Sequence, residues 1–365
     1  AILIGHFPPG PFGGAEVQAE AWAQRLADRH RVTVVTRRDP DSLPEHERRD
    51  GFEIVRLPVA RIPLARTLLD LRHVSRAVAA LDPRPDALLC FQTFISGLAG
   101  VRIQRRLGIP AVVWIRGEVE YRLSASWRAR TFSPGVWRSA RTVLVQSEGT
   151  RAELLAEFHR VDPAAAAQLE PRLVVVPNGI DLPPTPRRRG GRVLAVGRLI
   201  PDKGMDLVVD AVAGMQGLLT VAGEGPERVR LEERARRHGL DAWFEGHVSR
   251  TRLNQLYEEA ACVVLAARRG EGLPNVVLEA MAHARPVVAT DVAGTRDLVQ
   301  DAVNGLLVPP DDFDALRAAL ARLFHERGLA DRLGEAGRRT AEGHAWERVR
   351  PRLEDVLQQS IEAPA

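Results

Sequence analysis

The chain is expected to fold as α/β, in two domains that each wind helices around a parallel sheet, and three observations carry that expectation. Apolar runs of strand length alternate with stretches of helical composition, which is the rhythm of parallel sheets. At 365 residues the chain exceeds what one hydrophobic core usually serves. Near the middle, Pro183-Pro184-Thr185-Pro186-Arg187-Arg188-Arg189-Gly190 reads as a stiff polar connector, after which the strand, loop and helix rhythm restarts. The expected division is a first domain over 1–183, a second over 190–343 and a final helical segment over 344–365.

In the first half, Ile2-Leu3-Ile4 opens as a strand. Gly5 to Pro11 makes a Pro/Gly loop leading to Gly13-Gly14-Ala15-Glu16 and a helix with Val17, Ala21, Trp22 and Leu26 on one face. Glycines at such a junction let backbone approach a ligand and offer N–H groups to phosphate; a tight turn that merely needs glycine is the competing reading. GxGxxG is absent, and Arg37-Arg38 follow the next strand where a dinucleotide fold would place an acidic ribose ligand, so that fingerprint is a poor match. Strands are expected over 87–91, 111–115, 142–146 and 173–176, with a helix from about Ser96 to Leu107.

Tyr121 to Arg141 mixes Trp127, Phe132 and Trp137 with five arginines and contains no Asp or Glu. Core tryptophans beside solvated arginines would explain it, and so would an anionic membrane surface, where Arg meets headgroups and Trp enters the boundary. Nucleic acid is a third reading, disfavoured because no binding motif accompanies the basic residues. The formal charge is only +4, with no long like-charge block.

In the second half, Val193 to Val196 is a strand, followed by the loop Gly197-Arg198-Leu199-Ile200-Pro201-Asp202-Lys203-Gly204 and a helix from Met205 to about Ala213. Lys203 is the sole lysine of a chain whose other basic residues are almost all Arg, and a compact ammonium suits a phosphate acting as a point charge. Gly223-Glu224-Gly225-Pro226 reads as a strand-to-helix turn.

The stretch Arg268 to Thr290 organises this half. Cys262 to Leu265 reads as a buried strand entering a loop and Pro286 to Thr290 as the strand leaving it, with a helix over Asn275 to His283 between them. Pro274 suits the first helical position, and the helix end beside Glu271 would favour an anion, typically a phosphate. Glu279 falls about a turn further on. Two glutamates at this spacing are more often solvated charge, but these bracket Gly272-Leu273-Pro274-Asn275 between a buried strand and a helix, at the end of a parallel strand where open α/β sheets bind ligands.

Cys90 and Cys262 lie in separate apolar runs and suit buried thiols in a reducing compartment better than a disulfide or metal site. There is no apolar run of membrane-span length and no recognisable secretory leader, so the expected location is cytoplasmic, with peripheral attachment at the inner membrane face if the 121–141 segment is interfacial. Whether the true beginning of the protein lies upstream of Ala1 stays open.

The E-x7-E spacing, the GRL-x3-KG loop and Val176-Pro177-Asn178-Gly179-Ile180-Asp181 together resemble the retaining, nucleotide-sugar-dependent glycosyltransferases of GT-B architecture, the family 4-like "glycosyl transferases group 1" type. The resemblance spans nearly the whole chain. It implies two Rossmann-like domains facing across a cleft, with the last helix crossing back to the first. It further implies that Arg198, Lys203 and Glu271 are catalytic, and that Gly13, Gly14, Val248, Gly272, Leu273, Pro274, Asn275, Val276 and Glu279 bind the donor, Glu279 through the ribose hydroxyls. The family often places a histidine after the strand at 111–115, where this chain reads Trp114-Ile115-Arg116-Gly117-Glu118. Arg116 or Glu118 could take over sugar or acceptor contacts, or form a strand-end salt bridge. The implied substrates are a nucleoside-diphosphate sugar and a glycan, lipid-linked or small-molecule acceptor, with no metal cofactor, because two cations can neutralise the departing diphosphate. A non-catalytic nucleotide-sugar binding protein and a sugar-nucleotide epimerase of the same architecture remain as alternatives.

Overall fold

The structure is a computed structural model that describes residues 1–9, 13–59, 66–123, 126–184, 190–215 and 218–363. The tip of the first glycine loop (10–12) and the centre of the Pro/Arg connector (185–189) therefore lie outside the described residues. The chain divides into two compact units, Ala1–Gly179 together with Trp346–Ala365, and Ile180–Ala345.

The first unit holds eight strands: β1 (Ile2–Leu3), β2 (Thr33–Arg37), β3 (His46–Arg49), β4 (Phe52–Leu57), β5 (Leu88–Phe91), β6 (Ala111–Trp114), β7 (Thr142–Val145) and β8 (Leu173–Val175). Their order across the sheet is β3-β4-β2-β1-β5-β6-β7-β8, and every pairing is parallel except β3 with β4. β5 and β6 are buried at every position because helices cover both faces, so they are written as unbroken apolar runs. β3 reads His-Glu-Arg-Arg at the edge of the sheet, where a charged strand discourages further pairing. Arg56 of β4 is buried and held by Glu47 of β3 at 2.7 Å.

The final helix, Trp346–Glu362, belongs to this unit. It buries Trp346, Val349, Leu353 and Val356 at helical spacing against the cluster containing Ile2, Trp22 and Trp114. Trp346 meets Trp22 edge to face at 4.9 Å, a geometry that adds to simple burial.

The second unit has β9 (Arg192–Val196), β10 (Leu218–Ala222), β11 (Asp241–Gly246), β12 (Ala260–Leu265), β13 (Val287–Thr290) and β14 (Leu306–Val308), all parallel, in the order β11-β10-β9-β12-β13-β14. From β9 the chain runs outward through β10 to β11, then returns to place β12 on the other side of β9. The strand order thus reverses between β9 and β12, and the crevice outside the carboxyl ends of such a pair is where open parallel sheets take ligands. In the first unit the same reversal falls between β1 and β5.

Candidate functional site

The loops leaving β9 and β12 meet at the reversal point of the second sheet. Leu199 is buried and anchors the first loop, which closes in a 3-10 turn over Pro201–Lys203. Gly204 follows with φ +60, and a Cβ there would collide with the Ala266 carbonyl oxygen, so only glycine lets the two loops approach this closely. The result is a direct pair: Lys203 Nζ lies 2.5 Å from Glu271 Oε1, with the two side chains 21% and 18% exposed. Arg198 opens the same loop, exposed and without an ion pair among the described residues.

The second loop is pinned from behind. The Glu271 N–H donates to the Ala293 carbonyl at 2.9 Å, and Gly294, at φ +80, lets the Gly272 carbonyl occupy the space that a Cβ would need. Leu273 is buried, and Pro274 is the N-cap of the helix Asn275–Ala282. The sequence suggests Pro274 as the first helical residue; it sits one place earlier because its fixed φ suits the cap as well, and its carbonyl accepts the Leu278 N–H at 3.2 Å. Val276 packs, partly buried, on the apolar cluster that also takes Val248.

Glu279 is buried on the same helix, with both carboxylate oxygens engaged. Arg250 donates to Oε1, and the Tyr257 hydroxyl donates to Oε2 at 2.7 Å. Burial and the adjacent Glu279 charge push the Tyr257 hydroxyl well above the usual phenol range, so it remains a donor. His283 stacks on Tyr257 at 5.2 Å, and burial, reinforced by Arg250, Arg285 and Arg338, lowers it to about 4. Each carboxylate oxygen of Glu279 keeps a lone pair for a further donor, so a hydroxyl reaching Oε1 would share it with Arg250, whose side chain is 47% exposed. Arg250, Tyr257 and His283 carry no signal in the sequence, since nothing in their spacing marks them as neighbours of Glu279.

In the first unit, Gly13 caps the helix Gly14–Ala27, and its N–H donates to Glu16 Oε2 at 2.8 Å. A carboxylate of the chain itself thus occupies part of this helix N-terminus, where the sequence suggests phosphate. Arg116 packs over the adjoining rings of Phe91 and Trp114, 5.3 and 4.9 Å from their centroids, and its Nη2 donates to Asn178 Oδ1 at 2.8 Å. Burial lowers Arg116 to about 10, opposed by Glu120 and Glu16. Glu118 is buried and pairs with Arg122 at 2.7 Å, so Arg116 and Glu118 do not form a salt bridge with each other. Glu120, which no sequence motif singles out, takes the Arg116 N–H at 2.8 Å and the Thr93 N–H at 2.5 Å.

The basic aromatic segment divides by face along the helix Trp127–Ser139. Trp137 is buried and donates to Thr93 Oγ1 at 3.1 Å, whereas Trp127 and Phe132 are 64% and 40% exposed, with Arg128 over the Trp127 ring at 5.6 Å. Among the described residues no group of three or more His, Cys, Asp or Glu side chains could hold a metal ion, and no helix is long and apolar enough to cross a membrane.

Residues 186–340 match the family described as glycosyl transferases group 1, and residues 12–183 match glycosyltransferase family 4. A D-inositol 3-phosphate glycosyltransferase of Acidothermus cellulolyticus is 30% identical over 360 residues, covering 86% of this chain and 79% of that protein. A GDP-mannose-dependent alpha-mannosyltransferase of Mycobacterium tuberculosis is 28% identical over 338 residues, covering 87% and 85%. Among solved structures, the sucrose-phosphate synthase of Thermosynechococcus elongatus superposes with a TM-score of 0.83 at 21% identity over 98% of both chains, a likeness of fold.

Proposed function

The chain belongs to the group 1 and family 4 glycosyltransferases and has their GT-B fold, and from that premise we propose that it moves a sugar from a nucleoside diphosphate to a glycan, lipid-linked or small-molecule acceptor with retention at the anomeric carbon. The observation that carries the reading is the Lys203 to Glu271 pair at the reversal point between β9 and β12, inside the segment matched to the group 1 family. The second unit is then the donor unit and the first the acceptor unit. The dependence of the mycobacterial relative on GDP-mannose supports a nucleotide sugar as donor, while the base and sugar used here are to be found by assay.

The chemistry follows from charge. Breaking the glycosidic bond leaves negative charge on the departing diphosphate. Lys203 and Arg198 supply two cations beside a helix N-terminus whose cap, Pro274, offers no competing side chain. Glu271 orients the Lys203 ammonium until the diphosphate draws it away. Glu279, held in place by Tyr257 and Arg250, takes the ribose on its remaining lone pairs. Gly272, Leu273, Asn275 and Val276 form the wall along which the donor lies, and Val248 meets the base. In the acceptor unit, Gly13 and Gly14 would meet the donor phosphates, and Arg116 and Glu118 would contact the sugar or acceptor, Arg116 through its guanidinium packed on Phe91 and Trp114. In this reading no metal is called for, since Arg198 and Lys203 bring the positive charge that a metal would otherwise supply.

Exposed Trp127 and Phe132 among arginines further support attachment to an anionic membrane surface, and the two buried free cysteines suit the cytoplasmic side. Incubation with UDP- and GDP-sugars, with nucleotide release as the readout, tests the assignment. Tight donor binding without turnover would return the chain to a binding protein, and interconversion of the sugar nucleotide would make it an epimerase.

A further inference from the structure

We infer that Arg268 is the positioning residue that holds Lys203 against Glu271. It stands three residues before Glu271, and neither the sequence motifs nor the reaction calls for it. Its guanidinium uses all three nitrogens on different partners: Nη1 donates to the Pro201 carbonyl at 2.6 Å, Nη2 to Asp206 Oδ2 at 2.8 Å and Nε to Asp311 Oδ1 at 2.6 Å. Its own N–H donates to the Asp202 carbonyl at 2.9 Å.

These bonds clamp the loop after β9 on both sides of Lys203, at 201, 202 and 206, to the loop that carries Glu271, and tie both to the segment after β14. Asp206, although desolvation pushes its carboxyl up, is held below the usual carboxylate range by Arg268. The contact is therefore a charge-assisted fork between two loops whose backbones already touch at Gly204 and Ala266. Lys203 itself lies on a single 3-10 turn and makes one side-chain bond, to Glu271, so its register against the second loop depends on what fastens that turn.

The catalytic part of this inference rests on the proposed glycosyl transfer; the structural part does not. Because Lys203 is the sole lysine, an amine reagent followed by mass analysis of its peptide reads that one side chain. In Arg268→Gln the modification rate should rise about fivefold or more, since a loosened turn frees the ammonium more often. A rate within about twofold of the parent overturns the inference. If Arg268→Gln does not fold, Asp311→Gly, which suits the φ of 59 at that position, removes only the Nε partner, itself 60% exposed, and should give a smaller increase in the same direction; no increase overturns the inference equally.

In turnover, Arg268→Gln should lower kcat by about 10- to 100-fold, the scale of a small misplacement of a reacting group, while donor KM moves by less than about threefold. In a Lys203→Ala background the same change should add less than about twofold, because Arg268 acts through Lys203. Effects that multiply, or a kcat unchanged in the single variant, contradict the role. Absence of any turnover in the parent would sink the proposed function and leave the labelling result to decide Arg268.

Discussion

Lys203→Ala separates chemistry from binding more sharply than any other substitution in this chain. In the free protein the ammonium is 21% exposed and bonded to Glu271 at 2.5 Å, so it is placed before any donor arrives. Charge grows on the departing diphosphate only as the glycosidic bond breaks, so a cation at this point stabilises the transition state more than the bound ground state. Losing one such preorganised group lowers kcat by roughly 100- to 1,000-fold, or about 3 to 4 kcal/mol. The stability cost is smaller, because a part-exposed ion pair contributes only about 1 kcal/mol or less. Steady-state kinetics of nucleotide release, with thermal melting alongside, should therefore show a folded protein with normal donor saturation and collapsed turnover. A Lys203→Ala variant with unaltered kcat and only weaker donor binding would refute the leaving-group role.

Glu279→Ala should behave differently, because its ribose contact is the same in ground and transition states: donor KM should rise by the equivalent of about 1.5 to 3 kcal/mol with kcat little changed, and a kcat loss as large as that of Lys203→Ala would refute the assignment. His283 gives a pH prediction. Its folded value of about 4 lies below its ordinary 6.5, so the unfolded chain takes up a proton first and stability falls as pH drops from about 6.5 toward 4, by on the order of 3 kcal/mol; His283→Phe should flatten urea midpoints across that window if the fold is kept. At the membrane, reversing the charge of Arg128, Arg130 and Arg138 should abolish sedimentation with anionic vesicles, each basic residue contributing about 1 kcal/mol; unchanged sedimentation, or none in the parent, returns the segment to a solvated surface.

Much of this molecule can be read from its sequence wherever burial dictates composition. β9, β12 and β13 are legible because strands covered on both faces have apolar centres, here 193–195, 262–265 and 287–289, and the glycines and Pro274 mark where the chain leaves them. His46–Arg49 is not legible, because an exposed antiparallel edge needs no apolar residue and its partner strand hides a buried arginine, Arg56, inside an ion pair. The sequence places a helix from about Ser96, but the chain first makes a π-type turn over Thr93–Gly97, entered through Gln92 at φ +76, a conformation no local pattern announces. At the site, Lys203 and Glu271 can be named from their motifs. Their contact depends on Gly204 and Arg268, and the partners of Glu279 come from a different helix, 22 and 29 residues away in the chain. Such pairings are decided by how strands order across the sheet, which spacing along the chain does not encode. The same holds for Arg116, which packs over a ring pair assembled from β5 and β6.

The central claim, retaining transfer from a nucleotide sugar, is tested most directly by the anomer first released. The parent enzyme is incubated in D2O with an α-linked UDP- or GDP-sugar and no acceptor, and early proton NMR spectra follow the sugar freed by slow hydrolysis. Nucleotide release accompanied by the α anomer, before mutarotation mixes the two, is the expected result. A β anomer appearing first would contradict retention, and a donor that stays intact across the whole panel even with glycan, lipid-linked and small-molecule acceptors added would contradict nucleotide-sugar transfer itself.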